Sequence, residues 1–143
     1  MELWYSEEHT PDVSLSIRID RQVYTGESDF QKIDVFDTTE FGRMLTLDGA
    51  VMLTEKDEFI YHEMMVHVPM AANPDIRRVL VIGAGDGGVI RELVKYPYVE
   101  KIDLVEIDGQ VVDVCRQYFP ALTRGFDDPR VKLYFEDGVR FVR

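Results

Sequence analysis

The feature that most constrains the fold is an apolar run that leads into a glycine loop, within Val79–Ile90. The loop has the spacing G-x-G-x-x-G, and a helix-like pattern follows it, as a nucleotide-binding loop of a parallel α/β sheet requires. It also contains Asp86, whose carboxylate would repel a pyrophosphate. We therefore expect this loop to bind a nucleoside that carries positive charge, through a turn formed by Gly83, Gly85, Gly87 and Gly88.

Charge and composition narrow the classes of partner. The 143 residues carry a net charge of −11, which argues against nucleic acid or an anionic membrane as a partner and suits small cationic ligands. The one cysteine, Cys115, cannot form an internal disulfide and lies among valines, which indicates a core residue in a reducing compartment. No signal peptide or membrane-spanning apolar run is evident, so we expect a soluble, cytoplasmic protein.

The amino-terminal part has the alternating pattern of antiparallel strands, at residues 15–19, 32–36 and 43–47. The pair Asp48-Gly49 predicts a two-residue hairpin, since both turn positions need a positive φ. Thr54 is expected to cap a helix that runs from about Asp57 to Val68 and stops at Pro69. Residues 1–54 are thus predicted to be a small antiparallel β domain.

After Pro74, strands and helices alternate, which predicts a parallel sheet. The expected strands are Arg78–Ile82, Lys101–Ile107 and Val131–Phe135, and the expected helices run over about Gly87–Tyr96, about Gln110–Phe119 (stopped by Pro120) and from near Gly138. Residues 55–143 are therefore predicted to be the first half of a Rossmann-like, class I methyltransferase-type doubly wound sheet.

This predicted nucleoside-binding domain is expected to be incomplete at its C-terminal end. A doubly wound sheet covers the open side of its first strand with a fourth, and no fourth strand is evident here. The edge of Arg78–Ile82 is then expected to be bare and open to pairing with another chain. We expect the front part of a longer protein.

Three acids follow the carboxyl ends of the three predicted parallel strands, where such sheets bind ligands. They are Asp86, Glu106 and Asp137. Glu106 comes about twenty residues after the glycine loop, where an acid can accept hydrogen bonds from both ribose hydroxyls. Asp137 can accept from an adenine amine. Any one acid is more often a solvated residue or a cap, as we expect for Asp108, but three in register favour a site.

A second group lies on the helix predicted after Thr54. Helical spacing predicts that Glu58, Tyr61, His62 and Met65 share one face. A metal could use His62 with Glu58, or His67 with Glu63, but no matching Glu-x-x-His pair occurs elsewhere, so no metal site is predicted. A wall that binds cations through the Tyr61 ring and the Glu58 charge is favoured, with His67 in the core.

The combination of motifs resembles the amino-terminal half of the polyamine aminopropyltransferase family, which includes the spermidine synthases. The matching segments cover nearly all of the chain: SDFQKI from Ser28, LTLDG from Leu45, DEFIYHEM from Asp57, VIGAGDGG from Val81, VEID from Val105 and EDG from Glu136. The resemblance implies a transferase of spermidine and polyamine biosynthesis. It moves an aminopropyl group from decarboxylated S-adenosylmethionine, a co-substrate rather than a cofactor, to putrescine, giving spermidine and methylthioadenosine.

The resemblance also implies roles for individual residues. Gln31 contacts the donor, Tyr61 and His62 line the amine channel, and Asp86 binds the ammonium of the transferred arm and of the polyamine. Glu106 holds the ribose, and Asp137 with Gly138 holds the adenine. A homodimer or homotetramer through the amino-terminal sheet is expected.

The chain departs from the family at three points. The family's catalytic base is an aspartate in an Asp-x-Ser-Asp-like motif, which these residues lack, so no catalytic residue is assigned and the base is expected beyond Arg143. Ala84 replaces a common glycine, which is tolerable if its φ is negative, and Met52 stands where glutamine is frequent. The 143-residue chain alone is expected to be inactive.

Two other functions remain open from the residues. An S-adenosylmethionine-dependent methyltransferase would share the glycine loop and Glu106, but it does not require the amino-terminal sheet, Gln31 or the Tyr61-His62 helix. A non-catalytic module that binds polyamine or nucleoside would need no base. An NAD-dependent dehydrogenase is disfavoured by Asp86.

Overall fold

The computed structural model describes all of residues 1–143 and divides into two compact units, Met1–Glu58 and Phe59–Arg143. The first unit is one antiparallel sheet whose five strands follow each other in chain order. These strands are β1 (Leu3–Thr10), β2 (Val13–Glu27), β3 (Lys32–Thr38), β4 (Gly42–Leu47) and β5 (Ala50–Thr54).

Strand β2 joins the two halves of this sheet. It has 15 residues, and it pairs with β1 through its first part and with β3 through its second. Register shifts near Ile19 and Gln22 mark bulges, which bend a strand and increase its twist. The bend lets the sheet close on a core that contains Ile17, Phe36 and Met44.

The predicted hairpin between β4 and β5 is confirmed. Asp48 has a φ of 49° and Gly49 a φ of 83°, as a two-residue hairpin of the primed type requires. Asp48 is the only residue other than glycine with a positive φ, and its carboxylate accepts a hydrogen bond from the Lys32 amide at 2.8 Å. The same aspartate therefore makes the turn and ties it to the start of β3.

The second unit contains a parallel sheet in the order β6-β7-β8, with helices between the strands. Its strands are β6 (Arg78–Ile82), β7 (Lys101–Val105) and β8 (Val131–Tyr134). The helices are α1 (Glu58–Ala72), whose first residue lies in the first unit, α2 (Gly88–Leu93), α3 (Gly109–Tyr118), α4 (Pro120–Thr123) and α5 (Gly138–Phe141), and a 3₁₀ turn covers Arg124–Asp127. The predicted combination of an antiparallel and a parallel sheet is confirmed.

The core of the second unit is built around the middle strand. Ile102 and Leu104 of β7 are fully buried, and they pack with Ile90 of α2 and with Val66 and Met70 of α1. Strand β6 is at the edge of the three-stranded sheet, and Leu80 and Ile82 on one of its faces are exposed. No helix is long and apolar enough to cross a membrane.

The prediction that α1 stops at Pro69 is wrong, because the helix continues through the proline to Ala72. An interior proline removes one backbone hydrogen bond and costs about 3 kcal/mol or more. Met70 is only 3% exposed in the resulting last turn, and burying such a side chain contributes about 1.5–3 kcal/mol. Packing of this extra turn therefore offsets much of the cost.

Thr54 does not cap α1 either, since the helix begins at Glu58 and the Thr54 hydroxyl donates to Asp57.

Other boundaries differ by smaller amounts. Helix α2 is shorter than predicted and ends at Leu93, while β7 ends at Val105 and β8 at Tyr134. Pro120 was expected only to stop a helix, but it also begins α4, where its missing N–H costs nothing because the first turn has no partner for it. Strand β1 was not predicted.

Candidate functional site

The glycine loop links β6 to α2, and two of its glycines are required by the backbone. Gly83 has a φ of 68° and Gly87 a φ of 88°, values that side-chain-bearing residues rarely adopt. A Cβ on Gly87 would also lie 2.9 Å from the Cα of Thr123. Ala84 has no positive φ, so its replacement of a glycine brings no strain.

Asp86 is held at the start of α2 by two donors. Its Oδ1 atom accepts a hydrogen bond from the Gly88 amide at 2.7 Å and lies 3.1 Å from Nε2 of His62. The His62 side chain is 3% exposed and that of Asp86 is 23% exposed. Both residues were predicted from the sequence as parts of a binding site, but their contact with each other was not predicted.

Glu106 follows β7 and reaches back to the glycine loop. Its Oε2 accepts from the Gly85 amide at 3.1 Å, and its Oε1 accepts from the Asp108 amide at 3.0 Å. The approach is close, since a Cβ on Gly85 would lie 3.1 Å from the Glu106 Oε2 atom and the carboxylate would have to shift. Asp108 is buried and caps α3 by accepting from the Gln110 amide, which confirms the role predicted for it. Glu106 is therefore fixed beside the loop that carries Asp86.

The loop after β8 carries the third acid. Asp137 caps α5, because its carboxylate accepts hydrogen bonds from the amides of Val139 at 2.7 Å and Arg140 at 3.2 Å. The next residue, Gly138, lies against the end of β6, since a Cβ there would be 2.5 Å from Ile82 Cγ2. The loops after all three parallel strands thus meet at one edge of the sheet.

The helix α1 presents two different surfaces, which corrects the prediction that Glu58, Tyr61, His62 and Met65 share one face. Glu58 and His62 are buried, on the stripe that continues with Val66 and Met70. Tyr61 and Met65 are instead 62% and 52% exposed. The rings of Tyr61 and His62 meet edge to face, with centroids 5.4 Å apart.

The remaining predicted site residue, Gln31, belongs to the first unit. It is half-buried in the turn before β3, where its backbone amide donates a hydrogen bond to Ser28 Oγ at 3.1 Å. Its carbonyl accepts from the Ser28 amide at 2.9 Å. The structure thus gives Gln31 a fixed backbone position within its own unit.

A polar cluster that was not predicted from the sequence lies outside this site. Glu92 of α2 is buried and accepts from Arg91 Nε at 2.9 Å, from His67 Nε2 at 3.0 Å and from Lys95. Burial alone would raise the pKa of Glu92, but these donors outweigh it and hold that pKa below its usual value. His67 also contacts the hydroxyl of Tyr96, whose pKa is raised by burial and by its neighbours Tyr98 and Glu92.

His67 was expected to lie in the core, but it is only half-buried. No group of three or more His, Cys, Asp or Glu side chains is placed to hold a metal. Cys115 is fully buried, and burial together with the nearby carboxylates of Asp86 and Glu106 raises the pKa of its thiol. It is a core residue, as predicted, because a protonated, buried thiol is a poor nucleophile.

Residues 58–143 match the family described as "Spermine/spermidine synthase domain", and residues 3–55 match the one described as "Spermidine synthase tetramerisation domain". The chain belongs to the spermine/spermidine synthase family. The resemblance stated from the sequence is confirmed at the level of the family.

Curated relatives agree with this membership. The polyamine aminopropyltransferase of Clostridium perfringens is 66% identical over 143 residues, which are 100% of this chain and 50% of the relative. That of Alkaliphilus oremlandii is 60% identical over the same shares. The chain therefore spans about half the length of the curated relatives it matches.

Solved structures of spermidine synthases have the same fold. The enzyme from Thermotoga maritima is 46% identical, with a TM-score of 0.94 over 98% of this chain and 50% of that chain. A spermidine synthase in complex with the transition-state analogue AdoDATO gives the same identity and TM-score, over 98% of this chain and 49% of that chain.

Proposed function

We propose that these residues form the donor-binding part of a spermidine synthase, which transfers an aminopropyl group from decarboxylated S-adenosylmethionine to putrescine. The observation that carries the proposal is the fixed pair of acids at one sheet edge. Asp86 and Glu106 are both held by amides of the same glycine loop. The names of the relatives support the same reaction.

Each acid has a task that matches the charge of the donor. Glu106, partly exposed after β7, accepts hydrogen bonds from the ribose hydroxyls. Asp137 and Gly138 hold the adenine, and Asp86 pairs with the ammonium of the aminopropyl arm. A net charge of −11 favours the approach of two cationic substrates.

The helix α1 and Gln31 complete the assignment. Tyr61 is exposed and presents a ring face to an alkylammonium, and His62 lies beside it against Asp86. Both are proposed to line the amine channel, and Gln31 is proposed to contact the donor. We assign the β domain to residues 1–54 and the nucleoside-binding domain to residues 55–143.

The reaction is a displacement at the carbon bonded to the sulfonium. The lone pair of a neutral putrescine amine forms the new C–N bond, and the C–S bond breaks with its electrons going to sulfur, which leaves neutral methylthioadenosine. The attacking amine must lose a proton to a base, since an ammonium has no lone pair. Holding both reactants in line supplies much of the acceleration.

The experiment uses the full-length product of the gene that encodes these residues. Incubated with decarboxylated S-adenosylmethionine and putrescine, it is expected to release methylthioadenosine and spermidine in equal amounts, as measured by mass spectrometry. With S-adenosylmethionine and a methyl acceptor in place of these substrates, release of S-adenosylhomocysteine would instead identify a methyltransferase. Binding of nucleoside or polyamine without any product would identify a non-catalytic module.

We also propose that the protein is a homo-oligomer that associates through the antiparallel sheet of the first unit. The match of residues 3–55 to the tetramerisation domain family supports this, as do the exposed apolar side chains Trp4 and Leu15 on its first two strands. Sedimentation of the wild type and of Trp4→Ser tests the role of this sheet, because a monomer in both would contradict it.

A further inference from the structure

Gly88 is a glycine that its own backbone does not require. It is the first residue of α2, and its φ is not among the positive values that Gly83 and Gly87 adopt. At a helical position, alanine is more favourable than glycine by about 1 kcal/mol. The reason for a glycine at this position must therefore lie in its surroundings.

The surroundings of Gly88 are the ring of His62. A Cβ on Gly88 would lie 2.2 Å from Cε1, 2.3 Å from Nδ1 and 2.4 Å from Nε2 of that ring. Such distances are far below van der Waals contact, so a methyl group and the ring cannot occupy this space together. Because His62 is only 2% exposed, its ring has no free route into solvent. His62 thus occupies a place that exists because Gly88 lacks a side chain.

The ring in this place touches the acid assigned to the donor. His62 Nε2 lies 3.1 Å from Asp86 Oδ1, and the Gly88 amide donates to the same oxygen at 2.7 Å. Two donors therefore fix one carboxylate oxygen, and the rotation of the carboxylate is restricted. Ordering a charged group before the ligand arrives reduces the entropy that binding must overcome.

We infer that Gly88 is a positioning residue, whose missing Cβ seats the His62 imidazole and thereby orients Asp86 to bind the ammonium of the aminopropyl donor. This inference rests on the proposed function. Gly88 acts through His62 and needs no contact with substrate. Its effect should appear with ligands that carry the ammonium and should be small with methylthioadenosine, which has none.

The test is a double-mutant cycle in the full-length product, with Gly88→Ala, His62→Ala and the double variant. Gly88→Ala is expected to displace the His62 ring and so to weaken the contact between Asp86 and the donor's ammonium. The affinity for decarboxylated S-adenosylmethionine should then fall by about tenfold or more, the size of effect seen when a charge contact is lost, and the affinity for methylthioadenosine by less than about threefold. In the His62→Ala background, adding Gly88→Ala is expected to change neither affinity, since the methyl group enters the space that the ring has left.

His67→Ala is the matched control, because His67 is the other histidine of α1 and contacts Glu92 and Tyr96 instead. The effect of His67→Ala on the affinity for decarboxylated S-adenosylmethionine should simply add to that of Gly88→Ala. Equal weakening of both ligands by Gly88→Ala, or an undiminished effect in the His62→Ala background, would overturn the inference. If Gly88→Ala does not fold, the double variant decides: recovery of folding is expected, and an unfolded double variant would contradict the contact.

Failure of the proposed function would look different. A wild-type protein that releases no methylthioadenosine disproves the reaction, whereas the melting temperatures of the same four proteins still measure the coupling between Gly88 and His62.

Discussion

Glu106 is the residue whose predicted role can be separated best from that of a neighbouring acid. Glu106→Gln keeps the size of the side chain but loses the charge of the carboxylate that we propose accepts hydrogen bonds from two ribose hydroxyls. We expect methylthioadenosine binding to weaken by about 1.5–3 kcal/mol, the range for hydrogen bonds to charged groups. Isothermal calorimetry on the full-length protein measures this loss.

The control for Glu106 is Asp103, an acid on β7 whose Oδ2 pairs with Lys101 Nζ at 2.7 Å. Residues 103 and 106 alternate to opposite sides of an extended chain, so Asp103→Asn is expected to leave the affinity unchanged. The same affinity for both variants would contradict the ribose role.

Asp86 should distinguish the donor from its product. Decarboxylated S-adenosylmethionine carries an ammonium and a sulfonium, and methylthioadenosine carries neither. Truncation of one side of a partly desolvated charge pair costs about 2–5 kcal/mol, so Asp86→Asn is expected to weaken donor binding by that amount and product binding much less. Competition binding with both ligands measures the difference. Equal losses would mean that Asp86 shapes the loop through its contact with the Gly88 amide.

At the scale of elements, one arginine fastens the segment after α2. Arg130 donates from its terminal nitrogens to the carbonyls of Val94 at 2.7 Å, Tyr96 at 2.8 Å and Val99 at 3.0 Å. It also pairs with Asp128 and holds the pKa of that carboxyl below its usual value. A planar fork of donors can serve these acceptors together, and an ammonium cannot.

Arg130→Lys is therefore expected to lower the free energy of unfolding by about 1–3 kcal/mol, since carbonyls lose a charged donor. Arg124→Lys is the matched control, because Arg124 is an exposed arginine of the 3₁₀ turn and its replacement should change stability by less than about 0.5 kcal/mol. Urea unfolding measures both. A control as destabilised as Arg130→Lys would show that the carbonyl contacts carry no special weight.

Glu92 is expected to contribute to the loss of stability at acid pH. Its folded pKa lies below its usual value, so its contribution to stability is fully present above that usual value, 4.5, and is lost as the pH falls through the folded pKa. Glu92→Gln is expected to flatten this loss. Urea unfolding at several pH values between about 6 and 3 measures the slope. The exposed Glu100→Gln should leave the slope unchanged, and an unchanged slope in Glu92→Gln would refute the prediction.

The elements that could be predicted are those whose signal is local in the sequence, whereas those that depend on tertiary contacts were missed. Strand β6 was predicted with its observed bounds, because an apolar run ends at glycines that the backbone needs. Strand β1 was missed, since Glu7-Glu8-His9 breaks its alternation, and its pairing of Tyr5 with Ile17 is a tertiary contact. The extension of α1 past Pro69 likewise depends on packing rather than on local preference.

The same division applies to the candidate site. Asp86 and Glu106 were found from their spacing, since loops after parallel strands meet at one edge. The contact of His62 with Asp86 and Gly88 joins residues more than twenty positions apart, and no local pattern marks it. The cluster of His67, Glu92 and Tyr96 escaped for the same reason.

At the scale of the whole molecule, the sequence supports binding more strongly than it supports turnover. The chain spans about half the length of its curated relatives, and it contains no Asp-x-Ser-Asp motif of the kind that supplies the family's base. A putrescine amine has a pKa near that of lysine, about 10.4, so at neutral pH almost all of it is an ammonium that cannot attack.

The 143-residue chain is therefore expected to bind nucleoside weakly or not at all and not to catalyse aminopropyl transfer. General-base catalysis contributes roughly a hundred- to ten-thousandfold, and misaligned reactants would lower the rate further. Methylthioadenosine release from the donor, compared at equal concentration with the full-length product, measures the deficit, and circular dichroism checks that the chain is folded. Release at the full-length rate would mean that the base lies within these residues, with the buried Glu58 as the first acid to substitute.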